Sequence, residues 1–234
     1  MTWDIPKMWE GGECWIIGGG PSVPREFGVP EEVIAGVLSG DLPMSAYSPF
    51  LSAIQDKHVI GVNAAYLLGD WLDVIFFGDG GFYWKNRVAL AKYPKIQVTC
   101  NPNLVNKGRV INVKHVPRDG KHPYGISSRR NHVSWNSNSG ASAINLAYHF
   151  GVKEIYLLGF DMTVGPGDVM HCHSHYRKPI AAGGKKPKKL PFGRHLQGFP
   201  QISKDANRLK LKIYNVSQVS KITEFEKVKI SEVL

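Results

Sequence analysis

A chain of 234 residues, 43% hydrophobic and 11% aromatic, can fill one full-sized core and is too apolar to stay disordered. No apolar run approaches the roughly 18 residues that a membrane-spanning helix needs. The opening Met1–Gly12, with Asp4, Lys7 and Glu10, reads as neither a secretory nor a transit signal, so a cytoplasmic protein is expected.

In chain order, the first expected strand is Cys14–Ile17, which runs straight into Gly18-Gly19-Gly20-Pro21-Ser22. Glycines at a strand end free backbone N–H groups to approach a phosphate, although a tight turn needs glycine as well. The run has neither the lysine of a Walker A loop nor the six-residue glycine spacing of the dinucleotide fingerprint. His58–Val62 is the second strand, followed by Asn63, whose amide suits a base or sugar edge or simply a turn. Val74–Phe77 leads into Gly78-Asp79-Gly80-Gly81, where Asp79 faces ligand or metal, or only solvent. Ile96–Thr99 and Val110–Val113 follow. Asn136-Ser137-Asn138-Ser139-Gly140 precedes the clearest helix, Ala141–Phe150, in which Ala143, Ile144, Ala147 and Phe150 recur at helical spacing. Asn138 or Ser139 suits its N-cap and Gly151 its end. An ordinary cap needs only one such residue, so the whole polar run favours an anion or sugar-hydroxyl site. The strands Glu154–Leu158 and Lys212–Val216 complete the set.

Between these last two strands the pattern breaks. Residues 163–200 show no periodicity and are rich in Gly, Pro, Lys and His, the composition of an active-site lid. His171, His173 and His175 fall at its start, just after Gly159-Phe160-Asp161. An imidazole titrating near neutrality suits a general base. Zinc is the rival reading, weakened because no second Cys/His pair stands at ligand spacing. Cys14, Cys100 and Cys172 make an odd, unpaired set, consistent with a reducing compartment. The net charge of +10 comes entirely from Arg177–Leu234, with 14 basic and 4 acidic residues; Met1–Tyr176 balances at 15 and 15. Lys185, Lys186, Lys188, Lys189 and Arg194 are the candidate polyanion contacts. Lys85–Arg130 is a second basic segment, with eleven Lys/Arg against one acid.

Strand–helix alternation predicts an α/β fold: a Rossmann-like, mostly parallel sheet with helices on both faces. A single domain spanning 1–234, with a Gly/Pro/Lys-rich lid at about 163–200, is expected.

The order of these motifs resembles that of bacterial lipooligosaccharide sialyltransferases. The carriers are Gly18, Gly20, Pro21 and Ser22, then Asn63, then Ser139 and Gly140, then Lys153–Leu157 with Gly159 and Asp161. Phage proteins of the norphogenetic type look similar through Asn138-Ser139-Gly140 and Leu157-Leu158-Gly159-Phe160-Asp161-Met162, and archaeal hydroxymethylpterin diphosphokinases belong to the same broad group. The resemblance implies a nucleotide-sugar-dependent inverting glycosyltransferase. The glycine loop and Asn63 would hold a CMP- or UDP-sugar, with Gly78, Asp79, Asn138, Ser139, Gly140 and Tyr176 completing the donor site. His175, the second of a histidine pair four residues apart, would be the base, with His173 as substitute; no metal would be required.

Two departures widen the reading. Met162–Met170 lacks the lid tyrosines of the sialyltransferases, leaving Tyr176, Arg177 and Lys178 as the nearest candidates. Asp79 stands where a neutral residue is expected, and with Asp161 it leaves room for magnesium. The alternatives are therefore an ATP/Mg-dependent pyrophosphoryl transferase acting on a pterin-like alcohol, or a non-catalytic nucleic-acid-binding protein. The cationic lid suggests DNA with hydroxymethylated bases as a glycosyl acceptor.

Overall fold

The computed structural model describes residues 2–105, 112–176 and 190–234. Eight strands form one sheet: β1 (Glu13–Ile17), β2 (Val59–Val62), β3 (Val74–Phe77), β4 (Ile96–Thr99), β5 (Val113–His115), β6 (Glu154–Leu158), β7 (Lys212–Asn215) and β8 (Glu226–Lys227). Their order is β5-β4-β3-β2-β1-β6-β7-β8 and every pairing is parallel. The expected α/β fold is therefore the one observed. The central strands are buried on both faces, which is why they read as continuous apolar runs rather than as alternation.

Among the described residues seven α-helices accompany the sheet: α1 (Ser22–Glu26), α2 (Glu31–Ser39), α3 (Gly80–Leu90), α4 (Pro102–Val105), α5 (Ser139–Phe150), α6 (Phe192–Leu196) and α7 (Phe199–Leu209). On one face Ile16, Ile60 and Phe76 pack against Ile144 and Phe150 of α5 and Phe199 and Ile202 of α7. On the other, Trp15, Ile17, Ile75 and Phe77 meet α2, α3 and the 3-10 segment Met44–Ile54. Each fully buried side chain of this size contributes about 1.5–3 kcal/mol. α5 forms as the spacing predicts: the Asn138 side chain accepts from the N–H of Gly140 and Ala141, and Gly151 closes the helix at a left-handed φ of 93°.

Three expectations are corrected. The fifth strand begins at Val113, because Asn112 adopts a left-handed φ of 63° that no extended run passes through; residues 110 and 111 lie outside the described residues. β8 was not foreseen, since two exposed charged residues carry no apolar signal. The aperiodic stretch ends before Pro200, which sits in the first turn of α7, where its missing N–H is not needed. Residues 177–189, including Lys185, Lys186, Lys188 and Lys189, lie outside the described residues.

The chain builds outward from β1 to β5 on one side and from β6 to β8 on the other. The order reverses between β1 and β6, and at such a reversal the loops leaving the two strands separate and open a crevice at their carboxyl ends. Those loops are Gly18–Pro21 and Gly159–Asp161.

Candidate functional site

Two cavities adjoin at that crevice. The smaller, of about 140 Å³, is lined by Gly18, Gly19, Gly20, Asn63, Gly140, Asp161, His171 and His173, among others. The larger, of about 580 Å³, is lined by Gly78, Asp79, Lys85, Trp135, Ser139 and Arg194. Asn63, Asn138, Tyr176 and His195 belong to the walls of both.

The three glycines do different jobs. A Cβ on Gly18 would lie 2.7 Å from the Gly159 carbonyl oxygen, and one on Gly20 would lie 2.6 Å from both that oxygen and Asp161 Cγ. Both positions therefore need glycine so that the two loops can touch. Gly18 N–H donates to the Leu158 carbonyl and Gly20 N–H to the Gly159 carbonyl, which spends two of the amides expected to cradle phosphate. Among the described residues no acceptor meets the Gly19 N–H. A Cβ there would look onto His171 Nδ1 at 3.4 Å and His173 Nε2 at 3.8 Å, so Gly19 keeps open the space before the histidines.

Asp161, on the wall of the smaller cavity, and Ser22 clamp the two loops together. Ser22 donates its N–H to Asp161 Oδ2 at 2.8 Å and its hydroxyl to Oδ1 at 2.5 Å, and both residues are buried. Burial raises the Asp161 pKa against these hydrogen bonds. Asp79 caps α3 by accepting from Gly81 N–H at 2.8 Å. Asp161 lines the smaller cavity and Asp79 the larger; no His/Cys/Asp/Glu cluster suited to a metal occurs among the described residues. Pro21 packs beneath Gly165.

The polar run before α5 is also mostly structural. Asn138 spends its oxygen on the cap and donates its amide to the His195 carbonyl at 3.3 Å. Ser139 Oγ accepts from Gly78 N–H at 3.2 Å, and Asn136 is fully buried against Gly125 and Ser134. Gly140 admits Phe160, which a Cβ would meet at 2.8 Å. Asn138 nevertheless remains on both cavity walls.

Two of the unsatisfied buried groups line the smaller cavity. Asn63 holds a left-handed φ of 52°, and its buried Oδ1 has no hydrogen-bond partner. An orphaned acceptor on a strained residue at a cavity wall marks a place where a ligand completes the bonding. His173 is 5% exposed, and neither of its ring nitrogens has a partner. Burial first, then the neighbouring His171, His175 and Lys85, push its pKa down to about 3, so its imidazole is neutral at physiological pH. His171 stacks on it at 5.3 Å and 8°, and Tyr176 meets both rings edge-on. His175 lines neither cavity; its carbonyl accepts from Lys85 Nζ at 2.9 Å. Burial raises the Tyr176 pKa, so its phenol stays protonated while the Ala64 backbone hydrogen-bonds its oxygen.

The imidazoles have a consequence for stability. Burial lowers the pKa of His171, His173, His175 and His195 below 6.5 in the fold, whereas the unfolded chain protonates near 6.5. Acid therefore favours unfolding: stability is full above about pH 6.5 and falls as pH drops towards about 3, where folded His173 takes its own proton. Urea titrations across that window are expected to show a decline of up to ~1.4 kcal/mol per pH unit for each such group. His173→Asn is expected to flatten the decline.

No protein-family model and no curated protein matches this sequence. Solved structures do match. Three solved glycosyltransferases have a similar fold. Sialyltransferase CstII from Campylobacter jejuni, solved with CMP, aligns at a TM-score of 0.51 and 15% identity, over 94% of this chain and 86% of that one. The monofunctional alpha-2,3-sialyltransferase Cst-I of the same organism gives 0.54 and 15%, over 94% and 81%. MAf glycosyltransferase from Magnetospirillum magneticum AMB-1 gives 0.58 and 14%, over 97% of this chain but 35% of that one, so this chain spans about a third of that protein. At such identities the shared property is the fold.

Sequence reasoning missed several wall residues. His195 arrives on α6, with nothing in its local pattern to pair it with Asn63. Met162 lines the smaller cavity at a left-handed φ of 52°. Trp135 lines the larger one, and its place directly before the Asn136–Gly140 run was the available signal. No helix among the described residues is long and apolar enough to cross a membrane.

Proposed function

We propose that this protein is a nucleotide-sugar-dependent glycosyltransferase that transfers a sugar to a hydroxyl acceptor. One observation carries the reading: an unpartnered Asn63 acceptor and a neutral, unpartnered His173 line one cavity with the open Gly19, at the crevice where the strand order reverses. The CMP bound by CstII, which shares the fold, supports a cytidine nucleotide as donor, with UDP-sugars as the alternative.

In this reading Asn63 Oδ1 accepts from the donor nucleotide, and Gly19 N–H and the Tyr176 hydroxyl face its phosphate. His173 takes the proton of the acceptor hydroxyl as that oxygen bonds to the anomeric carbon. The bond from that carbon to the phosphate oxygen breaks, the phosphate leaves with the electron pair, and the anomeric centre inverts. The base role falls to His173 rather than His175 because His173 lines the cavity. No step in this reading needs a metal. The uncompensated positive charge favours an anionic acceptor, and DNA carrying hydroxymethylated bases is the acceptor proposed.

The test is a thermal-shift screen of CMP-, UDP- and GDP-sugars and ATP. A ligand at about 100 times its Kd adds ~2.7 kcal/mol of stability, a readily measured rise in Tm. A CMP- or UDP-sugar is expected to give that rise and Asn63→Ala to abolish it. A chain that no nucleotide sugar shifts would refute the reading.

A further inference from the structure

His173 lacks the support that ordinarily orients a general base. Such an imidazole is held by a third group bonded to its second nitrogen, yet neither nitrogen of His173 has a partner. Its hold comes through the backbone instead. Cys172, directly before it, is 1% exposed and packs in the same core as Tyr47 and Leu51. The Cys172 N–H donates to the Gly19 carbonyl at 3.0 Å, and the Cys172 carbonyl accepts from the Tyr47 hydroxyl at 3.0 Å. Tyr47 is fully buried in the 3-10 segment Met44–Ile54, and burial raises its pKa, so the phenol keeps the proton it donates. The Cys172 carbonyl shares one planar peptide with the N–H and Cα of His173. A hydrogen bond that fixes this carbonyl therefore fixes the plane from which the His173 side chain rises. On the cavity side, His171 stacks on the imidazole and Tyr176 meets it edge-on at 4.9 Å. Those rings limit its tilt but do not set where its Cα stands.

We propose that Tyr47 is a positioning residue for the base: through the Cys172 carbonyl it sets where the His173 imidazole stands beside the donor loop. The proposal rests on the glycosyltransferase reading, in which His173 is the base, and adds a residue that lines neither cavity. Cys172 is bonded on one side to Tyr47 and on the other to Gly19, whose N–H faces the donor phosphate in that reading. The clamp thus holds base and donor loop in one register. Proton transfer in the displacement needs that register, since a misplacement of about 1 Å costs up to 10²-fold in rate.

The experiment compares Tyr47→Phe, which fills the same space and removes only the hydroxyl, with Tyr93→Phe. Tyr93 is a half-buried phenol that donates to the carbonyls of Gly69 and Leu72 and lines neither cavity. Turnover of CMP-sialic acid, or of the UDP-sugar that gives the larger thermal shift, is followed with water as the acceptor. Histidine ring protons are titrated by NMR, with His173→Asn assigning the signal. Tyr47→Phe is expected to lower kcat about tenfold to a hundredfold with donor KM and thermal shift unchanged. It should also move the His173 titration up towards its ordinary value as water reaches the ring. Tyr93→Phe should lower Tm and leave kcat and that titration alone. A Tyr47→Phe chain that keeps its kcat, weakens donor binding instead, or leaves the His173 titration unmoved would overturn the proposal. If His173→Asn itself keeps its turnover, or no nucleotide sugar shifts the wild-type chain, the underlying reading fails. If His173→Asn loses turnover and Tyr47→Phe does not, only the role of Tyr47 is wrong.

Discussion

His173→Asn is expected to lower kcat by about 10²–10⁴-fold, the usual contribution of a general base, with little change in donor affinity. The expectation follows from position and protonation together. His173 lines the smaller cavity with both ring nitrogens free, and burial keeps its imidazole neutral at neutral pH. The negative phosphate of a bound donor would raise its pKa, strengthening the base when it is needed. His175→Asn, removing a ring that lines neither cavity, is expected to cost much less. Steady-state kinetics with the donor identified by thermal shift decide between them: a larger kcat loss in His175→Asn would return the base role to that residue.

Gly20→Ala and Gly19→Ala are expected to fail in opposite ways. At Gly20 the added methyl meets Asp161 Cγ and the Gly159 carbonyl at 2.6 Å. Neither can move freely, since Asp161 is held by two hydrogen bonds from Ser22 and Gly159 by Ser217. Overpacking of this kind costs about 1–3 kcal/mol, a fall in Tm of some ~2–4 °C per kcal/mol for a chain of this size. At Gly19 the methyl reaches only the edges of His171 and His173, at 3.4 and 3.8 Å. That variant should keep its Tm, lose the nucleotide-sugar shift and lose activity, because the methyl occupies the ligand's approach to His173. Calorimetry and the donor screen on both variants check the contrast. Equal destabilisation would mean that Gly19 too is there only for loop packing.

These contrasts mark where the sequence was legible. Cys14–Ile17, Val74–Phe77 and Glu154–Leu158 were readable because burial on both faces demands unbroken apolar runs, and α5 because its cap and closing glycine are local signals. Asn63 and the histidine cluster were visible as polar residues directly after such runs. The roles were harder. Asp161 and Asp79 looked alike, each a strand-end carboxylate, until Ser22 was found on one and the α3 amide on the other. Three adjacent glycines looked equivalent until the Gly159–Asp161 loop was seen to press on two of them and not on the third.

By itself, the sequence determined the parallel α/β sheet, the ends of its central strands and the positions where polar chemistry sits. These follow from hydrophobic periodicity and capping, which act over a few neighbouring residues. Only the tertiary structure decided which polar groups spend their hydrogen bonds inside the protein and which face a cavity. It set His173 on a cavity wall and His175 off it, brought in His195 and Trp135, and bound Asp161 to Ser22. Those outcomes depend on contacts between residues far apart in the chain, such as Ser22 with Asp161 or Arg118 with Trp135, and no local pattern carries them.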